Sequence, residues 1–482
     1  MDEQLPFSWS LAIYASEWLI RLVMLFVIVN RHPPRTAVAW LLVVFFLPWP
    51  GLILYFLVGE NRLPSRRIRL RKALLERYDG ARKLNAASER KKPPEVDERF
   101  QPIVTLAEEL GSLPIRFGNR TQLLVDTDRV IDQLISDIDS AKKHVHLLFY
   151  IFAADETGHR VGVALERAVG RGVKCRLLVD AVGSRDFMRQ VAPGLESAGV
   201  EVQEALPVNL LRAYVARLDL RNHRKIVVID SEIGYTGSQN IVNADYGYKT
   251  LQYHDLMVRL CGPVVLELQT VFVDDWCAER DQLLGGSELS PRDDNLLFAE
   301  GDAVQTLPSG PLFSVENYQR QVVAAIHAAR KQVTITTPYF VPDEVFLGAL
   351  ETAALKGVRV ELIVPAKSDH LLVSIAACAF YEQLLESGVN IYLFHEGLLH
   401  AKSMTIDDSI AFLGSSNFDI RSFRLNFEIN MIFYGAGFTE KLSEQQAVFR
   451  KNSEPLLLNK WQSRPTYKRV IQNIFKLLSP VL

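Results

Sequence analysis

Two nearly unbroken apolar runs open the chain, Leu11–Asn30 and Val38–Val58, each close to the ~20 residues a helix needs to cross a bilayer. The second carries no charge, and Pro48 and Pro50 predict a kink in it. The first holds Glu17 and Arg21 near its middle, where each costs roughly 2.5–3.5 kcal/mol at a helix centre. Their i,i+4 spacing lets them pair and lowers that cost. A two-helix membrane hairpin over residues 1–60 is expected, with a re-entrant or surface-lying first segment as the alternative. A secretory signal peptide fits badly, because the leading residues are acidic and no small-residue cleavage site follows.

From about Asn119 the pattern changes: runs rich in Val, Ile and Leu alternate with amphipathic stretches of helical period. Strands are predicted at His144–Phe152, Val173–Asp180, Lys225–Asp230, Gly234–Gly237 and His254–Leu260. A second set follows at Gln332–Phe340, Val358–Pro365, Asn390–Phe394, Ala401–Asp407, Ser409–Gly414 and Glu428–Phe433. Strands alternating with helices predict an α/β architecture.

Charge sets the topology. Twelve basic residues lie between Asn61 and Lys92 (Arg62, Arg66, Arg67, Arg69, Arg71, Lys72, Arg77, Arg82, Lys83, Arg90, Lys91, Lys92), against three acidic ones. The loop between the apolar runs carries only Arg31 and Arg35, so the positive-inside rule puts everything after Val58 on the cytoplasmic side. The same run suits anionic headgroups at about 1 kcal/mol per cation; a solvated helix face and linker ending at Pro93–Pro94 would read alike. The whole 482-residue chain is balanced, with 54 Lys+Arg, 56 Asp+Glu and a net charge of −2, which excludes a basic nucleic-acid-coating protein. With 48% hydrophobic and 23% charged residues it is no disordered chain. Cys175, Cys261, Cys277 and Cys378 show neither CxxC pairing nor metal-ligand spacing, so no disulfide scaffold and no zinc site are expected.

The body is a duplication. His223-Arg224-Lys225, Asp230 and Gly237-Ser238-Gln239-Asn240 recur as His400-Ala401-Lys402, Asp407 and Gly414-Ser415-Ser416-Asn417, all at one offset of 177 residues. Each copy reads H-x-K-x4-D-x6-G-S-x-N. Two similar halves packed face to face would bring the copies together. On an extended strand His223 and Lys225 share a face, as do His400 and Lys402. Asp230 and Asp407 have the opposite parity and read as scaffolding that ties each motif to its own half. Two His, two Lys and two Asn converging on one point suit a phosphodiester. The lysines neutralise its oxygens, Ser238, Asn240, Ser415 and Asn417 donate hydrogen bonds, and one imidazole attacks phosphorus while the other protonates the leaving oxygen. A lone H-x-K would be an exposed strand edge; two intact copies reverse that reading.

The doubled motif resembles the phospholipase D superfamily. The leader with Ala39-Trp40-Leu41-Leu42 and Gly51 is similar to that of bacterial cardiolipin synthases, as are Leu220–Lys225, Thr337–Pro342, Leu425-Asn426-Phe427-Glu428 and Leu477–Pro480. The resemblance covers essentially the whole chain. It implies an α/β fold of two phospholipase D-like halves with mixed sheets flanked by helices, preceded by the membrane hairpin. The expected layout is a hairpin over 1–60, a basic helix and linker over 61–118, halves over 119–290 and 291–450, and an amphipathic helix over 451–482. It places the catalytic residues at His223, Lys225, Asp230, His400, Lys402 and Asp407. It also implies a carboxylate after each G-S-x-N that orients a histidine, Asp255 in the first half and Glu428 in the second.

The implied reaction joins two phosphatidylglycerols into cardiolipin and glycerol in the bacterial inner membrane, through a phosphohistidine. His223 is the implied nucleophile and His400 the acid, then base. No metal or other cofactor and no nucleic-acid partner are expected; phosphatidylglycerol and the bilayer are. A hydrolytic phospholipase D or another phosphatidyltransferase would share every motif, whereas a nuclease or a non-catalytic scaffold fits the hairpin, the charge and the intact motifs less well. Arg212, Arg217, Arg221 and Arg224 could hold a lipid phosphate or form a solvated helix face. Val470, Ile471, Ile474, Phe475 and Leu478 form one helical stripe beside Lys468 and Arg469, which lies on the membrane or docks on the body. His327 and His370 read as ordinary residues.

Overall fold

The computed structural model describes residues 5–32, 34–60, 63, 67–73, 76, 96–111, 113–208, 217, 219–246, 251–280, 298, 301–313 and 315–477. They fall into two compact units, Met1–Ser65 with Val208–Leu220, and Arg66–Pro207 with Arg221–Leu482.

In the first unit, helix α1 (Leu5–Arg31) contains a 23-residue stretch, Trp9–Arg31, long and apolar enough to cross a membrane. The second expected span is not one helix. It is divided into α2 (Pro34–Phe46) and α3 (Pro48–Val58), each shorter than a bilayer crossing. The division falls at Leu47, whose φ of −132° and ψ of 73° leave the helical region just before Pro48. Proline disfavours helical geometry in the residue before it, which explains the break. Of the expected hairpin, one helix of spanning length and a broken pair are observed. Ile20, Met24 and Ile28 pack with Ala37, Val44 and Tyr55. Gly51 permits the close approach of α3 to α2, since a Cβ there would sit 2.9 Å from Val44 Cα. Glu17 and Arg21 do pair, at 3.2 Å, and Arg21 Nε also donates to the Phe45 carbonyl. Of the basic run, Arg67, Arg69, Arg71 and Lys72 lie on a helix over 67–73 that belongs to the second unit; the remainder is outside the described residues.

Among the described residues the second unit is built on one sheet of 15 strands, with two further short strands, Tyr253–His254 and Leu398–Leu399, paired apart from it. The first half supplies β1 (Ile115–Leu124), β2 (His144–Phe149), β3 (Lys174–Asp180), β4 (Glu201–Ala205), β5 (Ile226–Ile229), β6 (Ile233–Gly237), β7 (Tyr253–His254) and β8 (Met257–Cys261). The second supplies β9 (Asp302–Ser309), β10 (Gln332–Thr336), β11 (Arg359–Pro365), β12 (Asn390–Phe394), β13 (Leu398–Leu399), β14 (Ser403–Ile406), β15 (Ile410–Gly414), β16 (Glu428–Tyr434) and β17 (Ser453–Pro455). Outward from the junction the halves run β1-β8-β6-β5-β2-β3-β4 and β9-β16-β15-β14-β10-β11-β12, with β17 on the far edge. Within each half three strands are parallel, β2-β3-β4 and β10-β11-β12, and their crossovers carry helices such as Glu156–Gly170 and Glu344–Leu355.

The halves join edge to edge, not face to face. Antiparallel β1 and β9 pair Ile115 with Gln305 and Arg116 with Val304, and a bulge precedes the Asn119–Asp302 pair. Neither strand was expected: Arg116, Asn119, Arg120 and Gln122 break the apolar pattern of β1, and Pro308 that of β9. Both are recruited by pairing with β8 and β16.

The β5–β6 and β14–β15 turns are built alike. Asp230 and Ser231 have φ of 54° and 58°, and Asp407 and Asp408 have 51° and 53°, a left-handed geometry that aspartate tolerates better than most residues. The Asp230 carboxylate accepts the backbone N–H groups of Lys142, Lys143 and His144 at 2.7–2.9 Å. Asp407 accepts those of Arg330, Lys331 and Gln332 at 2.7–2.8 Å, and Arg99 Nη1 at 2.6 Å. Each aspartate therefore fastens a hairpin to the start of β2 or β10. Loss of one acceptor strands three amides, and a buried unsatisfied group costs about 1–3 kcal/mol. Asp230→Ala and Asp407→Ala are each expected to lower unfolding free energy by about 2–5 kcal/mol. In thermal melts both midpoints should fall by several degrees while exposed Asp245→Ala matches the parent; midpoints equal to the parent's would remove the clamp.

Candidate active site

The histidine loops lie just before β5 and β14, where each chain segment is captured by the other half. His223 N–H donates to the Phe427 carbonyl at 2.9 Å, and Asn222 bridges to Phe427. In mirror fashion β13 pairs in parallel with β7, and His400 N–H donates to the His254 carbonyl at 2.9 Å. These exchanged pairings place each histidine beside the carboxylate that follows the other half's G-S-x-N.

His223 Nδ1 lies 3.0 Å from Glu428 Oε2, and His400 Nδ1 lies 2.7 Å from Asp255 Oδ1. Each expected carboxylate thus meets the histidine of the other half. Both carboxylates are held from behind by the motif serines. Ser238 Oγ donates to Asp255 at 2.6 Å and accepts Leu256 N–H, and Ser415 Oγ donates to Glu428 at 2.5 Å and accepts Ile429 N–H. Ser238 and Ser415, expected on the phosphate, thus give their hydroxyl protons to carboxylates. Asn240 Oδ1 accepts Ile151 N–H at 3.1 Å, while Asn417 Oδ1 is buried without a hydrogen-bond partner. Lys225 Nζ donates to the His223 carbonyl at 2.8 Å and Lys402 Nζ to the His400 carbonyl at 2.6 Å.

Electrostatics fixes the protonation states. Burial pushes the His223 imidazole down to about 4, outweighing the upward pull of Glu428. Burial and Lys402 likewise lower His400. Burial alone would raise both carboxyls, but His400, Lys402 and Ser238 hold Asp255 at about 2, and His223, Lys225 and Ser415 hold Glu428 below its ordinary value. An ionised carboxylate only accepts, so Nδ1 of each neutral imidazole carries the proton and Nε2 presents its lone pair. Burial also lowers Lys225 to about 8 and Lys402 to about 7, and Lys402 is further lowered by Lys225. The site is buried, with two lysines facing two carboxylates. An arriving phosphate anion restores the charged form of both lysines.

A buried network behind His223 was not anticipated. Asp275, on helix Val265–Arg280, accepts Asn222 Nδ2 at 3.0 Å, Arg224 Nη1 at 2.6 Å and Arg67 Nη2 at 2.8 Å. Arg224 Nε reaches the Glu428 carbonyl at 3.0 Å, and the Arg67 guanidinium lies 4.4 Å from the Phe427 ring centroid. Asp180, fully buried at the end of β3, accepts Asn222 N–H at 2.9 Å and Arg221 at 3.4 Å. Arg221 and Arg224 thus hold the loop from within the protein. Arg217 pairs with Asp219, and Arg212 lies outside the described residues. The position of Asp180 at the carboxyl end of a parallel strand was the available signal. Asp230 and Asp407 act on backbone amides of their own halves, as their parity suggested. Tyr150 packs 4.8 Å from the His223 ring and Tyr253 5.6 Å from His400. His370 is exposed near Tyr339, and His327 is exposed. Among the described residues no group of three or more His, Cys, Asp or Glu side chains is placed to hold a metal.

Comparison with known proteins gives the family. The cardiolipin synthase PLD-like domain family matches residues 134–276 and 322–448, one segment in each half, and a phospholipase D-nuclease N-terminal family matches 19–60. Cardiolipin synthase A of Serratia proteamaculans is 38% identical over 484 residues, covering 98% of both chains. That of Proteus mirabilis is 37% identical over 95% of both. Phosphatidylserine synthase of Haemophilus influenzae shares the fold, with a TM-score of 0.59 and 17% identity over 79% of this chain and all of that one. With both halves of the duplication matched and near-complete coverage by these relatives, the chain belongs to the cardiolipin synthase family of phospholipase D-like proteins.

Proposed function

We propose that the protein is a cardiolipin synthase that transfers a phosphatidyl group from one phosphatidylglycerol to the hydroxyl of another. The observation that carries this reading is the pair of imidazoles, each with Nδ1 held by a carboxylate from the other half, beside two buried lysines. His223 Nε2 attacks phosphorus as the bond to the glycerol headgroup breaks, and His400, which takes up a proton from solvent as the anion binds, gives that proton to the leaving alkoxide. The neutral His400 then takes the proton of the second lipid's hydroxyl, whose oxygen attacks phosphorus and breaks the P–N bond. Glycerol and cardiolipin are the products, with no nucleotide consumed. Lys225, Lys402, Asn240 and Asn417 meet the phosphate oxygens, where charge grows in the transition state. Asp255 and Glu428 stabilise each imidazolium as it forms. Asp230 and Asp407 serve by fixing the hairpins that carry the lysines. A bacterial inner-membrane location, with the body on the cytoplasmic side and the membrane crossed more than once, is supported by α1, the apolar α2–α3 pair and the basic excess after Val58.

His223→Ala and His400→Ala should each lower cardiolipin formation from phosphatidylglycerol vesicles at least ~10³-fold with the thermal midpoint preserved, since neither imidazole can do both tasks at once. Mass spectrometry of the lipids reads the result, and substantial turnover in either variant would end the two-histidine scheme.

The lysines set a pH dependence. Both have lowered values, so their charge is lost as pH rises, Lys402 from about 7 and Lys225 from about 8. In the free enzyme kcat/KM should fall above pH 7 and more steeply above 8, whereas kcat holds to higher pH because bound phosphate keeps the lysines charged. Rate profiles from pH 6 to 9.5 test this; a kcat/KM that stays level or climbs over that interval would contradict it.

A further inference from the structure

The last described helix, Thr466–Leu477, packs on helix Leu371–Glu386 by its polar side. Arg469 binds Glu382 at 3.1 Å, Arg464 just before the helix binds the same carboxylate at 2.8 Å, and Arg464 Nε donates to Gln472 at 3.0 Å. Lys476 Nζ lies 4.5 Å from the Phe380 ring centroid, and Phe475 reaches the core. The remaining apolar residues turn outward. Tyr467, Val470, Ile471, Ile474 and Leu477 recur at i, i+3, i+4, i+7 and i+10, and they are 62, 52, 42, 53 and 80% exposed. At the start of the partner helix Leu371 and Leu372 are 70 and 49% exposed.

A helix that only completed a soluble core would bury this stripe; here the core contact is made without it. The helix carries no acidic residue, and although Arg469 and Lys476 also contact the body, Lys468 stands exposed beside the stripe, so its partner is apolar with an anionic surface. A second copy of this chain, with a net charge of −2 over 482 residues, offers little to those cations. A bilayer rich in anionic phospholipid offers both properties. We infer that Thr466–Leu477, braced by Leu371–Glu386, is a membrane-contact surface whose outward stripe sits at the headgroup–acyl boundary. The start of the brace helix is joined to the site. Two residues before Leu371, Asp369 accepts the hydroxyls of Tyr339 at 2.6 Å and Tyr253 at 3.2 Å, and Tyr253 packs on His400. This inference deepens the proposed lipid substrate and rests on that reading, but its test does not pass through catalysis.

The test uses the full chain in nanodiscs containing phosphatidylglycerol, with Cys261 and Cys378 changed to Ser and one spin label placed in turn at Lys468→Cys, Val470→Cys, Asn473→Cys, Ile474→Cys or Leu477→Cys. Collision rates with oxygen, which partitions into lipid, and with a water-soluble nickel chelate are compared. Oxygen should dominate several-fold at 470, 474 and 477, and nickel at 468 and 473. Nickel dominance at all five would overturn the inference. So would exclusion of both reagents at 474 and 477 with concentration-dependent spin–spin broadening, which would assign the stripe to a second copy. Cardiolipin measured in the same nanodiscs reports separately on the proposed activity.

Discussion

The arrangement depends on an exchange of carboxylates between the halves. A neutral imidazole is a useful nucleophile or base only when its proton is held on one nitrogen so that the other is free. Glu428 does this for His223 and Asp255 for His400, each across the junction. Neither half holds a complete site. The junction strands β1 and β9, the β7–β13 pair and the Asn222–Phe427 bridge supply the register that the exchange needs. Each motif serine is committed to the carboxylate next to its own strand, so that carboxylate is already oriented before the other half's histidine is considered.

The second constraint is burial. All four charged side chains of the centre are buried, and burial is the largest influence on each of them. Two lysines against two carboxylates leave no strong net charge to attract water or stray ions. A single phosphodiester tips the balance by restoring both lysines, so substrate binding itself completes the charged form that stabilises the transition state. The buried Arg67–Asp275–Arg224 network stands behind only one of the two histidines. In the second copy Ala401 occupies the place of Arg224, so the duplicated halves are not equivalent in support.

The repeated motif at one offset made the duplication and its chemistry legible, and strand parity alone separated Asp230 and Asp407 from the residues beside the histidines. Most interior strands were legible because their apolar runs are continuous. β1 and β9 were not, since polar residues interrupt β1 and Pro308 interrupts β9, and only the neighbouring strands hold them. The donor of each carboxylate was illegible for a different reason. His223 and Glu428 are 205 residues apart, and Arg67 and Asp275 are 208 apart, so those pairings exist only once the halves are joined. The break at Leu47 shows a local rule deciding the outcome: Pro48 was expected to bend the second apolar run, and it divided it.

The exchange of carboxylates is tested most directly by nitrogen NMR of the full chain labelled only at histidine, with His223 and His400 assigned by their single substitutions. Glu428→Gln should shift the ring nitrogens of His223 and leave those of His400 nearly in place, and Asp255→Asn should do the reverse. If Glu428→Gln instead moved His400, each half would be orienting its own histidine, and the shared site described above would be contradicted.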